Sequence, residues 1–262
     1  MEEVLRKILP LLGVMAFVAG CGGERAEKEE PSARLAAAPP TAAPGEVHCV
    51  PGRERRLGNR KTAYAAKALG TTTAVVHPNG RPVRVFGPRN VNGVDTVFGV
   101  LAVVRDGRCE PAWYHVQLPI RPNGSTGYVR ADDVLLLRVG TRIEVDLSER
   151  RVDFFHDGRR LLRATAAIGS KATPTPTGRY YVNQRLRAAD ASGPFGPGGI
   201  GISAFSPVLT GWAQGGPIAV HGTNDPTSIG RAVTHGCMRI SNRQLARMFL
   251  AMPEGTPFLV RA

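Results

Sequence analysis

The chain has no apolar run long enough to cross a membrane. Ile8 to Ala19 is interrupted by Pro10 and falls short of the ~20 residues that span a bilayer core. Acidic side chains are scarce: 21 Asp and Glu stand against 34 Lys and Arg, giving a net charge of +13. Aromatic residues make up only 6% of the sequence, and no basic run is interleaved with them. The excess charge therefore does not read as a nucleic-acid groove. Signatures of several enzyme classes are also missing. There is no H-E-x-x-H of a zinc peptidase, no G-x-S-x-G nucleophile elbow and no S-x-x-K.

What is present begins with an export pattern. Arg6 and Lys7 precede the short apolar stretch, which ends in Val18-Ala19-Gly20-Cys21. Small residues before a cysteine resemble the lipobox of bacterial lipoproteins. The resemblance implies a signal peptide over 1–20 and a lipidated Cys21. The protein would then be exported and anchored at the outer face of the cytoplasmic membrane, in the periplasm or cell wall. Residues 21–46 are rich in Ala, Pro and Glu, carry no aromatic residue and have no period, the composition of a disordered tether. Residues 1–46 hold seven acidic and five basic residues, which leaves about +15 on the remainder. In an exported protein such a body attracts acidic envelope polymers rather than nucleic acid.

Residues 47–138 read as β-rich. Strand-like runs at Thr72–Val76, Val83–Phe86, Val97–Val104, Trp113–Leu118 and Gly127–Val129 alternate with turn signals such as Pro122-Asn123-Gly124. The run Gly124 to Arg130 resembles the closing strand of bacterial SH3-like barrels, with Tyr128 where those have tryptophan. A second unit, 139–262, opens with Ile143, Val145 and Leu147 alternating with charged residues, the period of a half-buried strand. A hairpin is expected around Asp157-Gly158, a stiff extended turn at Thr173 to Gly178, and a final strand at Thr256–Val260. One short helix starts at the Ser241/Gln244 capping box, with Leu245, Met248 and Phe249 on its apolar face. Gly196 to Gly201 fits G-x-G-x-x-G but lacks the strand and helix that pattern needs, so it reads as a flexible loop.

The chemistry concentrates at Ile218-Ala219-Val220-His221-Gly222 and Thr234-His235-Gly236-Cys237-Met238-Arg239. A thiol with an ordinary pKa of ~8.5 needs a base to attack an acyl carbon. His221, at the end of an apolar strand, and His235, two residues before Cys237, are both candidates. Gly236 lets backbone N–H groups approach a developing oxyanion. His221, His235 and Cys237 have the number for an open zinc site, but acidic or paired-cysteine context is missing, so no metal or cofactor is expected. With Cys21 assigned to lipid and Cys237 to chemistry, Cys49 and Cys109 remain to pair in an oxidising compartment.

The segment from His221 to Arg239 resembles the signature of the YkuD-type L,D-transpeptidases: a histidine, a gap of about a dozen residues, then S/T-H-G-C-x-R. Thr175-Pro176-Thr177-Gly178, Gly222-Thr223-Asn224 and Gly255-Thr256-Pro257-Phe258 resemble further family motifs in the same order. The resemblance implies a mostly-β sandwich with one or two short helices. It implies Cys237 as nucleophile, His221 as base oriented by the Gly222 carbonyl, and an oxyanion hole from the amides of His235, Gly236 and Cys237. His235 becomes a supporting group, with Arg239 and Thr234 toward the substrate. The expected reaction takes a peptidoglycan tetrapeptide stem, passes through a thioester, and yields a 3→3 cross-link with an amine acceptor. Water as acceptor gives an L,D-carboxypeptidase, and a silent domain a lipid-anchored wall-binding protein.

Overall fold

The computed structural model describes residues 49–262. The expected signal segment, Cys21 and the Ala/Pro/Glu-rich stretch lie outside them. Eight strands come first: β1 (Glu54–Arg56), β2 (Ala63–Ala68), β3 (Thr72–Val75), β4 (Pro82–Phe86), β5 (Val97–Arg105), β6 (Pro111–Gln117), β7 (Thr126–Arg130) and β8 (Val134–Val139). They form one sheet in the order β4-β3-β7-β6-β5-β2-β8, with β1 added to β5. Cys49 and Cys109 are joined by a disulfide with Cα atoms 5.9 Å apart.

The rest follows after Gly140 alone. It comprises β9 (Thr141–Asp146), β10 (Arg151–His156), β11 (Arg159–Thr165), β12 (Ile168–Gly169), β13 (Gly178–Arg187), β14 (Gly198–Phe205), β15 (Pro217–His221), β16 (Ala232–Thr234), β17 (Met238–Arg239), α1 (Asn242–Ala251) and β18 (Pro257–Arg261). Eight of these strands make a second sheet, β11-β10-β9-β18-β13-β14-β15-β17, while β12 and β16 pair separately. The architecture is mostly β with a single α-helix among the described residues.

Local chemistry explains these elements. In β9, Ile143 and Val145 are fully buried while Arg142 and Glu144 face outward. At the β10–β11 turn, Asp157 and Gly158 both adopt left-handed backbone (φ 46° and 82°), which a two-residue type I′ hairpin requires. Ser241 caps α1 by accepting from the Gln244 N–H at 3.3 Å and donating to its side chain at 2.8 Å. The helix then lays Leu245, Met248 and the following Met252 against Val220, Met238 and Ile240. Each such buried side chain contributes roughly 1.5–3 kcal/mol.

Two segments depart from the sequence expectation. Ala63–Ala68, outside the strand-like runs expected from the sequence, forms β2, and at Ala65 the two sheets pack closely. A Cβ placed on Gly255 would lie 2.2 Å from that of Ala65, and one on Gly99 would lie 2.9 Å from the Tyr181 ring. Gly196 to Gly201, expected as a flexible loop, instead leads directly into β14, which is buried between β13 and β15. Its glycines serve close strand packing: a Cβ on Gly198 would meet the Leu186 carbonyl at 2.4 Å, and one on Gly201 the Gln184 side chain at 2.7 Å.

Gly255 also has φ +86°. Gly255→Ala is therefore expected to cost about 3 kcal/mol of stability through overpacking and left-handed strain together. Urea denaturation measures it, and a loss below about 1 kcal/mol would show that this contact between the sheets yields easily.

Candidate active site

Strands β15 and β17 run parallel with Val220 opposite Met238 and His221 opposite Arg239. Ile218, Val220 and Met238 point into the core. Strand alternation then turns Ala219, His221 and Arg239 to the other face, together with Cys237, which lies level with Ala219. Cys237, just ahead of β17, thus falls diagonal to His221 when the register is extended by one residue, with its sulfur 3.9 Å from the Pro217 carbonyl oxygen. His235 goes elsewhere. The turn after β16 carries it outward, where its exposed ring rests 5.2 Å from that of Trp212.

His221 is only 4% exposed. Its Nδ1 sits 2.6 Å from the Gly222 carbonyl oxygen. A carbonyl only accepts, so Nδ1 carries the proton and Nε2 keeps a free lone pair. Burial pulls the imidazole pKa down to about 4; the Gly222 carbonyl opposes this and the Arg239 charge adds to it. Burial likewise pushes the Cys237 thiol up, against the pull of the Ala219 N–H and Arg239. Burial thus biases both groups toward their uncharged forms. Cys237 is the one free cysteine among the described residues.

The Cys237 turn is fixed by threonines. Thr234 is 2% exposed; its hydroxyl donates to the Cys237 carbonyl at 2.5 Å and accepts from the Gly236 N–H at 3.2 Å. Thr234 therefore builds the turn rather than facing a substrate. The Gly236 amide, expected in the oxyanion hole, is occupied by that hydroxyl, which leaves the His235 and Cys237 amides as candidate donors. Gly236 itself has φ +115°, and a Cβ there would lie 2.9 Å from Ile218. From the Thr173–Gly178 turn, Thr175 donates to the Gly236 carbonyl at 2.8 Å and Thr173 to the Thr234 carbonyl at 2.9 Å. The two prolines of that turn marked it in the sequence; its role as a buttress did not show.

Two residues at the site, Asn242 and Phe195, escaped sequence reasoning, and Trp212, whose place the sequence leaves open between cleft wall and core, joins them. Asn242, the first residue of α1, accepts from the Thr223 N–H at 2.8 Å. A Cβ on Gly222 would come 2.2 Å from the same oxygen, so Gly222 lets its loop close onto Asn242 and aim the carbonyl at His221. Phe195 presents its ring edge-on to His221 at 5.0 Å. Trp212 stands over His235. Both aromatics remain more than half exposed, at 57% and 53%. Arg239 is half-buried, and its Nε has no hydrogen-bond partner. Asp225 merely caps the turn at Pro226–Ser228 through the Thr227 N–H. Among the described residues, no three His, Cys, Asp or Glu gather as metal ligands.

The lowered His221 pKa fixes a sign. Below pH ~6.5 the unfolded chain binds a proton that the native imidazole refuses until about pH 4. Native stability contributed by the neutral ring is therefore whole above pH 6.5 and falls as pH drops toward 4, by up to about 3 kcal/mol. In His221→Gln, denaturant titrations across this window should lose that part of the slope; an unchanged slope would show that His221 is not buried as a neutral base.

Residues 140–260 match the family model of the YkuD L,D-transpeptidase catalytic domain. The chain is 31% identical over 114 residues to the Bacillus subtilis (strain 168) protein named for the L,D-transpeptidase YkuD, covering 44% of this chain and 62% of that protein. It thus spans about three fifths of the length of that curated relative. Among solved structures, an Enterococcus faecium L,D-transpeptidase aligns at 22% identity and TM-score 0.37, over 46% of this chain and 49% of that one. An L,D-transpeptidase from Mycobacterium smegmatis aligns at 18% identity and TM-score 0.40, over 76% and 99%. The stretch that matches, residues 140–260, contains both His221 and Cys237.

Proposed function

We propose that this protein is a peptidoglycan L,D-transpeptidase, with Cys237 as nucleophile and His221 as general base. The observation that carries the reading is the shared strand face of Cys237 and a neutral His221 whose Nε2 is free. The Cys237 S–H proton passes to His221 Nε2 as sulfur attacks the carbonyl on the L-centre of the stem's third residue. The His235 and Cys237 amides receive the negative charge that forms on the carbonyl oxygen. Collapse breaks the C–N bond to D-alanine, which takes the proton from His221, and leaves a thioester. A neighbouring stem's side-chain amine then loses a proton to His221 and displaces the thiolate, giving a 3→3 cross-link. The thiolate regains its proton from the imidazolium. Arg239, positively charged beside both groups, stabilises the thiolate and disfavours a resting imidazolium.

The same reading makes the protein exported, with 1–20 as signal peptide and Cys21 as lipid anchor. It treats 47–138 as an SH3-like domain and 139–262 as the catalytic one. Its acidic partners are envelope polymers. A groove of about 500 Å³ between the two sheets supports that choice: Arg56, Arg60, Lys61, Arg142 and Arg179 line it against a single carboxylate, Glu144.

Incubating the protein with a tetrapeptide stem donor and an amine acceptor tests the assignment. Release of D-alanine together with incorporation of the amine is expected; D-alanine without incorporation would make it a carboxypeptidase. Cys237→Ala should abolish both, and His221→Gln should reduce acylation by at least about 10²-fold with the fold intact. A carbapenem should add its full mass at Cys237. A Cys237→Ala protein that still released D-alanine would remove the assignment.

A further inference from the structure

The loop 206–216, which carries Trp212, joins β14 to β15 beside the thiol. Ser206 N–H closes its neck on the Gly216 carbonyl at 2.8 Å. Inside the loop, the Ser206 hydroxyl accepts from the Leu209 N–H at 3.1 Å and the Trp212 carbonyl from the Gly215 N–H at 2.8 Å. Gln214 sits in left-handed backbone at φ 56°, an uncommon state for a residue with a side chain, and Gly215 and Gly216 follow at 77° and 67°. Trp212 is about half exposed, and its ring lies 5.2 Å from that of His235.

The loop's fixings come from the other sheet. Arg121, between β6 and β7, donates from one guanidinium nitrogen to the Ser206 carbonyl at 2.7 Å and the Gly215 carbonyl at 2.6 Å, so it grips both limbs of the neck. It also covers the Phe205 ring at 5.4 Å. Asn123 pairs with the Phe205 backbone in both directions, donating to its carbonyl at 2.8 Å and accepting from its N–H at 2.9 Å. Asn92, between β4 and β5, exchanges amide hydrogen bonds with the side chain of the strained Gln214 at 2.8 and 3.3 Å. Gln184 on β13 in turn holds Asn90 and Asn92 at 3.0 and 2.9 Å.

We propose that Asn92, Arg121 and Asn123 are positioning residues for the reaction: through the loop 206–216 they hold Trp212 against His235 as one wall of the donor-binding cleft. The first sheet is then part of the donor site and more than a spacer. Arg121 and Asn92 grip the loop itself and Asn123 fixes Phe205 at its entrance, each using geometry that a mobile contact does not keep: two bonds from one guanidinium nitrogen, a reciprocal amide pair and a two-way amide–backbone pair. The Gln214 conformation persists only where surroundings enforce it. This inference rests on the transpeptidase reading for its effect on substrate, and on the hydrogen bonds alone for its effect on the loop.

The test uses the full chain with Trp113→Phe, which leaves Trp212 as its only tryptophan. Asn123→Ala and Asn92→Ala are made separately, so that a folding defect in one leaves the other informative. Anisotropy decay should show a rigid Trp212 in the parent and a fast component in each variant. KM for the tetrapeptide donor should rise at least fivefold with kcat within twofold, while iodoacetamide alkylation of Cys237 stays within twofold of the parent. Unchanged Trp212 motion in folded variants overturns the proposal, as does a freed Trp212 with unchanged donor KM. If the parent itself turns over no donor, the transpeptidase reading falls, and the brace is then judged on Trp212 motion alone.

Discussion

The site depends on a parallel pairing only two residues long. With Val220 opposite Met238, the apolar members of both strands turn to one face together and His221 and Arg239 to the other. A slip of one residue in either strand would send its reactive side chains into the core and bring buried residues to the surface. The register is therefore guarded by the core. Val220, Met238 and Ile240 are each fully enclosed and lie against Leu245 and Met248 of α1, so the helix that follows the cysteine turn locks the alignment that the turn begins.

The electrostatics follow from that burial. A carbonyl, not a carboxylate, orients His221, so no negative charge stands ready to hold an imidazolium. The nearest formal charge is Arg239, which works against one. Desolvation thus favours the uncharged form of each group. Such a thiol is slow to react with solutes that bring no oxyanion to stabilise, while the amide dipoles of the turn favour those that do.

Much of this was legible in residue order. The His221 and Cys237 spacing, the Ser241 cap, the Asp157-Gly158 hairpin and the alternation of β9 each rest on a local rule that tertiary contacts leave intact. What stayed hidden was set by neighbours distant in sequence. Ala65 on β2 sits where Gly255, far along the chain, leaves room only for a small side chain. Gly198 and Gly201 punctuate loops elsewhere; here they let three strands pack tightly. Asn242 looks like an ordinary first helical residue until Gly222 and Thr223 fold back onto it. The diversion of the Gly236 amide to Thr234 needs coordinates, because the sequence cannot show which of two acceptors an N–H will find.

The Cys49–Cys109 bond sits at the very start of the described fold, ahead of β1, and fastens it to the turn between β5 and β6. That turn is itself pinned, since the Asp106 carboxylate accepts from two of its amides and Arg105 donates to the Cys109 carbonyl at 2.7 Å. Any tug transmitted along the preceding residues meets covalent sulfur at the sheet's interior ladder before it reaches β1, a three-residue edge strand that would otherwise peel away first. Mechanical load is thereby routed past the weakest hydrogen-bonded element and into the strand that pairs with β1, β2 and β6.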